Sequence, residues 1–299
     1  MAQYSGSHPG NLILLHGGAG PQDPSLMGIQ KVQNSLKKIG KTASKMLNNM
    51  DPIIDVVGYC LLQMEKDPLF NAGIGSALQA DGMARVSASL MDGSRQIFSG
   101  VASASYISFP SILAKELQKR QARVLTNPGA ELLARELNQP INTNLTEKRS
   151  KKWLKSLYED VHNIHNMDTV GCVIKTADGK LIAGSSTGGR GYEYPGRVSD
   201  TSSIAGNYSS KFAAIAVTGI GEEIMDDAVA PRIETRIRDG KPLNEATNTT
   251  FKEAKNRKRK YGWIAIDKLG NWNISFTTYQ MPFIVIGDKK ILKEFTVKI

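Results

Sequence analysis

The chain has 299 residues, enough for one large domain or two ordinary ones, and its 40% hydrophobic and 22% charged residues are typical of a globular protein. Its formal net charge is +10, with 38 lysines and arginines against 28 acidic residues. That balance indicates either attraction to anionic partners or simply a basic surface that keeps the protein in solution. No apolar run approaches about 18 residues, which excludes a membrane-spanning helix.

Cysteine content and the N-terminus indicate the compartment. Cys60 and Cys172 lie in apolar runs, which predicts buried core thiols rather than a disulfide. Residues 1–8 lack the basic and apolar regions of a signal peptide. We therefore predict a cytoplasmic protein.

The N-terminal half is predicted to mix strands and helices. A glycine loop, His16–Gly20, follows the first apolar run, but neither a phosphate-loop lysine nor dinucleotide spacing accompanies it, so no organic cofactor is predicted. Tight packing against a neighbouring loop explains it better. Apolar spacing and turn residues predict, in order, a strand at 11–15, helices at 25–49 and 53–65, a loop at 66–76, strands at 85–91 and 96–107, and helices at 111–121 and 129–137.

Residues 139–168 differ in composition from their surroundings. A polar stretch is followed by a cluster of lysines and arginines at 148–155, with helical character around 153–161. We interpret the segment as a flexible linker, although an ordinary surface loop has the same composition.

The C-terminal half opens with a hairpin. Runs of β-forming residues at 170–176 and 180–185 flank Asp178-Gly179, a hairpin signal. Strands and helices cluster so as to predict two mainly antiparallel sheets flanked by helices, a four-layer αββα sandwich of the α+β class in one domain. The remaining predicted elements are a glycine-rich loop at 188–206, a strand at 211–217, helices at 222–239 and 243–259, and a last hairpin at 263–267 and 272–277.

Thr169 begins the first strand of the central hairpin. A threonine there is often only a good strand former. Cleavage of the bond between Asp168 and Thr169 would instead free an α-amino group, which titrates near pH 8 and can act as a base toward the threonine's own hydroxyl. The hydroxyl and its base would then belong to one residue.

Six sequence blocks occur in the order of one known family. With them the chain resembles the isoaspartyl peptidase / L-asparaginase family, the plant-type asparaginases among the N-terminal nucleophile hydrolases, over nearly its whole length. The αββα fold agrees with this resemblance. The blocks are His-Gly-Gly-Ala-Gly at 16–20, Phe-Asn-Ala-Gly-Ile-Gly-Ser at 70–76, Ala-Ser-Leu-Met-Asp-Gly at 88–93, Asp-Thr-Val-Gly at 168–171 with Ser-Ser-Thr-Gly-Gly at 185–189, Pro-Gly-Arg-Val-Ser-Asp at 195–200, and Thr-Gly-Ile-Gly-Glu at 218–222.

The resemblance implies a self-cleaving amide hydrolase. Residues 1–168 would become an α chain and residues 169–299 a β chain, cut between Asp168 and Thr169, and two such αβ units would form a dimer. Thr169 would then attack the side-chain amide of asparagine or the isopeptide bond of a β-aspartyl dipeptide. Thr187 would orient Thr169, and Thr218 with the N–H of Gly219 would form the oxyanion hole.

Substrate-binding residues follow from the same blocks. Arg197 would grip the substrate α-carboxylate with its planar fork, and Asp200 would hold the α-ammonium group. Thr218 and Gly219 also contact the substrate in this arrangement. Gly221 would let the substrate approach the backbone, and Asn71 would support the site.

A sodium ion is a further implication of the resemblance alone. In the family a loop like residues 64–74 wraps this ion with main-chain carbonyls. The corresponding residues are Met64, Glu65, Asp67, Phe70, Ala72 and Ile74.

Several residues depart from the family pattern. Asp168 replaces the usual glycine before the nucleophile, as in two relatives, glycosylasparaginase and the taspase-type protease, so a threonine hydrolase like either of these is an alternative function. Ile220 would make the pocket more apolar, and Ser87 stands where the family usually has Asp. Tyr261-Gly262-Trp263 replaces a paired glycine, and its bulk, with that of Trp263, would narrow the entrance. These changes bear on the preferred substrate more than on the reaction.

Three other functions were weighed. Basic runs at 148–155 and 255–260 could bind nucleic acid, but aromatic residues do not interleave with them. His162 and His165 could bind zinc but lack a third ligand. An uncleaved structural homologue is disfavoured because all the matched site residues are present. The expected partner is a small-molecule substrate rather than nucleic acid or a membrane.

Overall fold

The computed structural model describes residues 1–20, 26–158 and 169–296 of the chain. The helices are α1 (Leu26–Asn48), α2 (Ile53–Lys66), α3 (Pro110–Leu117), α4 (Gly129–Glu136), α5 (Glu147–Ser156), α6 (Gly221–Asp227), α7 (Val229–Arg238) and α8 (Leu243–Asn256). The strands are β1 (Ala2–Ser7), β2 (Leu12–His16), β3 (Val86–Asp92), β4 (Ile97–Ala104), β5 (Val124–Leu125), β6 (Val170–Lys175), β7 (Leu181–Thr187), β8 (Asn207–Ser209), β9 (Ala213–Gly219), β10 (Tyr261–Asp267), β11 (Asn271–Phe276), β12 (Phe283–Gly287) and β13 (Lys290–Glu294).

The strands form two sheets. One has the order β1-β11-β10-β9-β8 and the other β13-β12-β2-β6-β7-β3-β4-β5. Within the described residues, the paired strands are antiparallel except β4 with β5. The larger sheet places β6 between β2 and β7, so strands from before and after position 168 alternate at its centre.

Side chains alternate between the two faces of each central strand, as a period of two requires. In β2, Leu12 and Leu14 face the other sheet, whereas Ile13 and Leu15 face helices α1 and α2. In β6, Val173 likewise faces the other sheet, whereas its neighbours Cys172 and Ile174 face the helices. Each sheet therefore has two apolar faces and needs two covering layers.

Those layers are another sheet on one side and helices on the other. Helices α1 and α2 cover the larger sheet, and α3 and α4 cover its β3–β4 edge. Helices α7 and α8 cover the smaller sheet, where Trp263 is a fully buried core residue. The predicted four-layer αββα sandwich is confirmed.

Two details of the secondary structure were predicted wrongly. The single helix expected at 222–239 is two helices, because Ala228 adopts a left-handed conformation with φ of 45° and ends α6. Strands β1, β5, β8, β12 and β13 were not predicted at all, so the hairpin at 263–277 is not the last of the chain. Strand β1 lies at a sheet edge and is largely exposed, so no apolar alternation marks it.

The basic segment before Thr169 contains an ordered, docked helix. Helix α5 begins earlier than the predicted 153–161, since the Thr146 side chain caps it by accepting from the amide of Arg149. Arg149 is buried and donates to the carbonyl of Gly75 at 2.6 Å, and the indole of Trp153 donates to the carbonyl of Gln79 at 2.9 Å. The final part of the predicted linker, with His162, His165 and Asp168, lies outside the described residues.

Within the described ranges, none of the helices combines the length and apolar character needed to cross a membrane. The same residues contain no cluster of three or more His, Cys, Asp or Glu side chains able to hold a metal ion. Cys60 and Cys172 are free, buried thiols, as predicted.

Candidate active site

Thr169 lies immediately before β6 and is 6% exposed. Its hydroxyl oxygen is 3.5 Å from that of Thr201, which is completely buried. Strand β7 runs antiparallel to β6 with Val170 opposite Ser186, so Thr187 at the end of β7 lies beside Thr169. Three threonine hydroxyls are thus gathered at one end of the central strands.

His16 closes the site from the other side of β6. It pairs with Gly171, and a methyl group on that glycine would lie 2.2 Å from Nε2 of the imidazole. Burial lowers the pKa of His16 to about 3, and a contact with the backbone of Thr169 opposes this only in part. The imidazole is therefore uncharged at neutral pH, and it closes the site by its bulk rather than by its charge.

Thr218 and Gly219 end β9, in the sheet that packs over β6 and β7. The amide of Ala19 donates to the Thr218 hydroxyl at 3.1 Å, which leaves the hydroxyl proton to be donated elsewhere. Gly219 has φ of +146°, and a Cβ atom there would lie 2.5 Å from the carbonyl oxygen of Lys260. Only glycine fits this position.

Arg197 is held in a frame of carboxylates. Its Nε and Nη2 donate to the two carboxylate oxygens of Glu222 at 2.7 and 3.0 Å, and its Nη1 donates to Glu193 at 3.0 Å. The side chain is 14% exposed. Two hydrogen bonds to Glu222 and one to Glu193 therefore orient the guanidinium, which is largely shielded from water.

Asp200 and Arg197 approach a common space above Gly221. A Cβ atom on Gly221 would lie 2.7 Å from Arg197 Nη2 and 2.8 Å from Asp200 Oδ1. Asp200 is 2% exposed, and its Oδ2 has no hydrogen-bond partner among the described residues. Burial raises the pKa of Asp200 to about 7 against the opposing charge of Arg197. A buried carboxylate oxygen that accepts no hydrogen bond is suited to bind a cation.

Asn71 supports the loops rather than offering a free group. Its Nδ2 donates to the carbonyl of Gly189 at 2.6 Å, and its Oδ1 accepts from the amide of Ala77 at 2.8 Å. The amide of Gly188 donates to the Asn71 carbonyl. These bonds fix the chain that follows Thr187.

The loop predicted to hold sodium is closed by its own hydrogen bonds. The carbonyl of Asp67 accepts from the amide of Phe70, and the carbonyl of Ala72 accepts from the amide of Gly75, both at 3.1 Å. Each carbonyl keeps a second lone pair, so the oxygens remain available to a hard cation. The carbonyls of Met64, Glu65, Phe70 and Ile74 complete the predicted set, and sodium binding stays a prediction.

The Glu65 side chain has a separate role in the core. It accepts from the amide and hydroxyl of Ser111 at 3.0 and 2.7 Å, and from the hydroxyl of Ser186 at 2.7 Å. Burial raises the pKa of Glu65 to about 7, although the bonds from Ser111 and Ser186 oppose it. The carboxyl group ties α2 and α3 to β7, one residue from Thr187.

The expectation that Trp263 narrows the entrance is wrong. Trp263 shares a strand face with Tyr261, whereas Ile264 points to the other sheet. Its indole is fully buried beneath α8 and donates to Asn273 at 3.0 Å. Ser87 pairs with Thr187 in the sheet and accepts from the amide of Ser103. Ile220 is partly buried at the start of α6.

The basic run at 255–260 is partly neutralised. Arg257 and Arg259 both pair with Asp227, which also accepts from the hydroxyl of Tyr261 at 2.9 Å. Lys255 lies over the ring of Phe251. Through these contacts, the basic run joins α6 to β10.

Three site residues were missed by sequence reasoning: Thr201, Glu193 and Glu222 as a partner of Arg197. Thr201 directly follows Asp200 in a matched block, so its position was available from the sequence. Glu222 contacts Arg197 through the packing of α6, and Glu193 lies four residues from Arg197 in a loop, where that spacing carries no signal.

Comparison with known proteins now assigns the family. Residues 10–295 match the family model described as Asparaginase. Two cyanobacterial proteins named isoaspartyl peptidase/L-asparaginase, from Nostoc sp. and Synechocystis sp., are each 38% identical to the chain. The alignments cover 86% of this chain and 86% of the Nostoc protein, and 87% of this chain and 82% of the Synechocystis protein. A Xenopus laevis protein of the same name is 29% identical over 94% of the chain and 93% of its own length.

The family match and the names of these relatives identify the chain as an amide hydrolase. The chain belongs to the asparaginase family, as its sequence motifs predicted.

Proposed function

We propose that the chain is an isoaspartyl peptidase/L-asparaginase whose nucleophile is Thr169 after cleavage of the bond to Asp168. The observation that carries the proposal is the convergence of Arg197 and Asp200 above Gly221, close in sequence to Gly219 and Thr218. A guanidinium and an unpartnered buried carboxylate together match the α-carboxylate and α-ammonium of a free amino acid head group. The names of the relatives support the same substrates.

Self-cleavage would come first. The Thr169 hydroxyl attacks the Asp168 carbonyl, the peptide C–N bond breaks, and an ester joins the two residues. Water then hydrolyses the ester, which releases the Asp168 carboxylate and the Thr169 hydroxyl and leaves Thr169 with the α-amino group that was freed when the C–N bond broke. That amine is the general base, because burial lowers the pKa of His16 and makes its imidazole too weak a base for this role.

Turnover would use the same hydroxyl. Its proton passes to the Thr169 amine as the oxygen attacks the β-carboxamide or isopeptide carbonyl of the bound substrate. The Thr218 hydroxyl and the Gly219 N–H stabilise the oxyanion, because they are held before the reaction starts. The C–N bond breaks, ammonia or an α-amino acid leaves with the proton, and water hydrolyses the β-aspartyl ester to L-aspartate.

The hydroxyls near Thr169 have distinct tasks. Thr187 lies beside it at the end of β7, and its own oxygen accepts from the amide of Gly189 at 3.2 Å. Its proton is therefore directed away from that amide and can be donated to Thr169. The Thr201 hydroxyl lies 3.5 Å from that of Thr169 and links the nucleophile to the backbone that carries Asp200.

Assembly, location and the ion complete the proposal. We carry forward a dimer of αβ units, a cytoplasmic location consistent with two reduced thiols, and a structural sodium ion held by the 64–74 loop carbonyls. The ion would brace the loop and take no part in the chemistry.

The test is hydrolysis of L-asparagine and β-aspartyl-leucine by the purified protein and two variants. Thr169→Ala should lose turnover by at least about 10³-fold, since the nucleophile is removed. Thr169→Ser keeps a hydroxyl and should retain measurable activity. A Thr169→Ala protein that hydrolyses either substrate at the unmodified rate would overturn the proposal.

A further inference from the structure

The side of Arg197 that a substrate carboxylate would use is already filled. The two carboxylate oxygens of Glu222 accept from Nε and Nη2 of the guanidinium at 2.7 and 3.0 Å. This is the paired arrangement in which arginine binds any carboxylate. An incoming α-carboxylate must therefore compete with Glu222.

The second carboxylate on Arg197 is fixed much more firmly. Glu193 is 9% exposed, and besides Nη1 of Arg197 it accepts from the side-chain amide of Gln79 at 3.1 Å and the backbone amide of Arg190 at 3.0 Å. Displacing Glu193 would break all of these bonds. Glu193 thus holds Arg197 in place whether or not a ligand is present.

Glu222 is free to move by comparison. Its side chain is 51% exposed and lies in the first turn of α6, where the positive helix end tolerates a carboxylate in several positions. Nη1 of Arg190 already donates to it at 3.3 Å. That second cation offers Glu222 a partner after it leaves Arg197.

Charge also favours such an exchange. Although burial would raise the pKa of Glu222, hydrogen bonds from Arg197 outweigh it and hold the pKa below its usual value, so the group is ionised at neutral pH. Two anions cannot share one face of Arg197 without repulsion. The substrate anion and Glu222 therefore exclude each other there.

From these contacts we propose that Glu222 is a displaceable internal carboxylate that occupies Arg197 in the ligand-free protein and moves toward Arg190 when a substrate α-carboxylate binds. The inference rests on the proposed function and adds a specificity-determining residue to it. Glu222 raises the concentration at which ligands with an α-carboxylate bind, because only these ligands must displace it from Arg197. Glu193, by contrast, is a fixed positioning residue.

The opposite role predicts the opposite sign. If Glu222 stays on Arg197 and merely orients it, removing its charge loosens the guanidinium and weakens binding. If it competes, removing the charge strengthens binding. Glu222→Gln separates the two because glutamine keeps the shape and loses the negative charge.

The experiment compares the cleaved forms of the unmodified protein, Glu222→Gln and Asp226→Asn. Asp226 is the matched control, since it lies in the same helix, is 59% exposed and contacts Arg259 rather than Arg197. Calorimetry gives the Kd of L-aspartate, and ammonia release gives KM and kcat for L-asparagine. Glu222→Gln should lower both Kd and KM by about tenfold, the size expected when one charge-assisted contact stops competing, and should change kcat less than KM. Asp226→Asn should leave them unchanged.

A second ligand sharpens the test. β-Alaninamide is asparagine without its α-carboxylate, so it does not need the face of Arg197 that Glu222 fills. Glu222→Gln should give no gain in binding of β-alaninamide. Weaker or unchanged L-aspartate binding in this variant, with an active unmodified protein, overturns the inference alone. An unmodified protein that neither binds L-aspartate nor releases ammonia contradicts the proposed function as well.

Discussion

The backbone amide of Ala19 donates a hydrogen bond of 3.1 Å to the hydroxyl oxygen of Thr218. This bond crosses from the glycine loop after β2 to the end of strand β9, and so joins the two sheets at the candidate oxyanion hole. It also explains the glycine loop, whose backbone must come close enough to reach a buried hydroxyl. The loop therefore contacts a neighbouring strand.

Thr218→Val tests the hydroxyl in this bond. Valine keeps the shape of threonine but cannot donate to an oxyanion, so kcat for L-asparagine should fall by about 10²–10³-fold. Steady-state ammonia release on the cleaved variant measures this. Thr218→Ser restores the hydroxyl and should recover much of the loss. A valine variant with unchanged kcat would remove Thr218 from the oxyanion hole.

Substrate affinity should depend on pH through Asp200. Its pKa is raised to about 7, so in the free protein the carboxyl group is mostly neutral below that pH and cannot pair with an ammonium group. KM for L-asparagine should therefore rise as pH falls from 8 to 6 (roughly tenfold per unit well below the pKa). The KM of an Asp200→Asn variant should be higher throughout and should not vary with pH in this range. A pH-independent KM in the unmodified protein would contradict the assignment.

Gly219→Ala should destabilise the fold by more than the cost of an unfavourable φ alone. The new methyl group would meet the backbone of Lys260 and Tyr261 at 2.5 Å, and backbone atoms have little room to move. We expect a loss on the order of 2–4 kcal/mol in the free energy of unfolding. Gly240→Ala is the control, because it also has positive φ but no atom within 4 Å. Urea unfolding of both in the uncleavable Thr169→Ala chain gives the comparison, and equal losses would refute the close contact.

Glu65→Gln should change how stability varies with pH. Burial raises the Glu65 pKa from 4.5 to about 7, so the folded state binds the proton more tightly than the unfolded state does. Stability from this group is present below pH 4.5 and is lost as pH rises through 7. The glutamine variant lacks that loss, so relative to the parent it should gain on the order of 1–3 kcal/mol between pH 5 and pH 8. Urea midpoints in the Thr169→Ala background measure the difference. A constant difference across this range would show that Glu65 is ionised throughout.

Much of the architecture could be predicted because it depends on local periodicity. Helices α1 and α2 have apolar residues every three to four positions, and the β6–β7 hairpin is marked by Asp178-Gly179. Ala228 could not be predicted as a helix break, since alanine normally favours helices. Its left-handed conformation is held by the packing of α6, α7 and the strands beneath them.

The site was predictable only where a motif carries it. Thr169, Arg197, Asp200 and Thr218 lie in blocks that resemble a known family, and the fold brings their strand ends together. Glu222 lies 25 residues from Arg197, and Glu193 lies four residues from it in a loop rather than a helix, so no helical or strand pattern records these contacts. For Trp263 the motif comparison was misleading. Strand alternation decides which face of the sheet its side chain lies on, and a motif comparison ignores that alternation.

The most direct test is the intact mass and N-terminal sequence of the purified 32.6 kDa chain after incubation at neutral pH, alongside Thr169→Ala. The unmodified chain should give two fragments, the second beginning Thr-Val-Gly-Cys, and the variant should stay whole. Activity toward L-asparagine should appear in step with the second fragment. A chain that stays intact and still hydrolyses L-asparagine would contradict the role of the Thr169 amine.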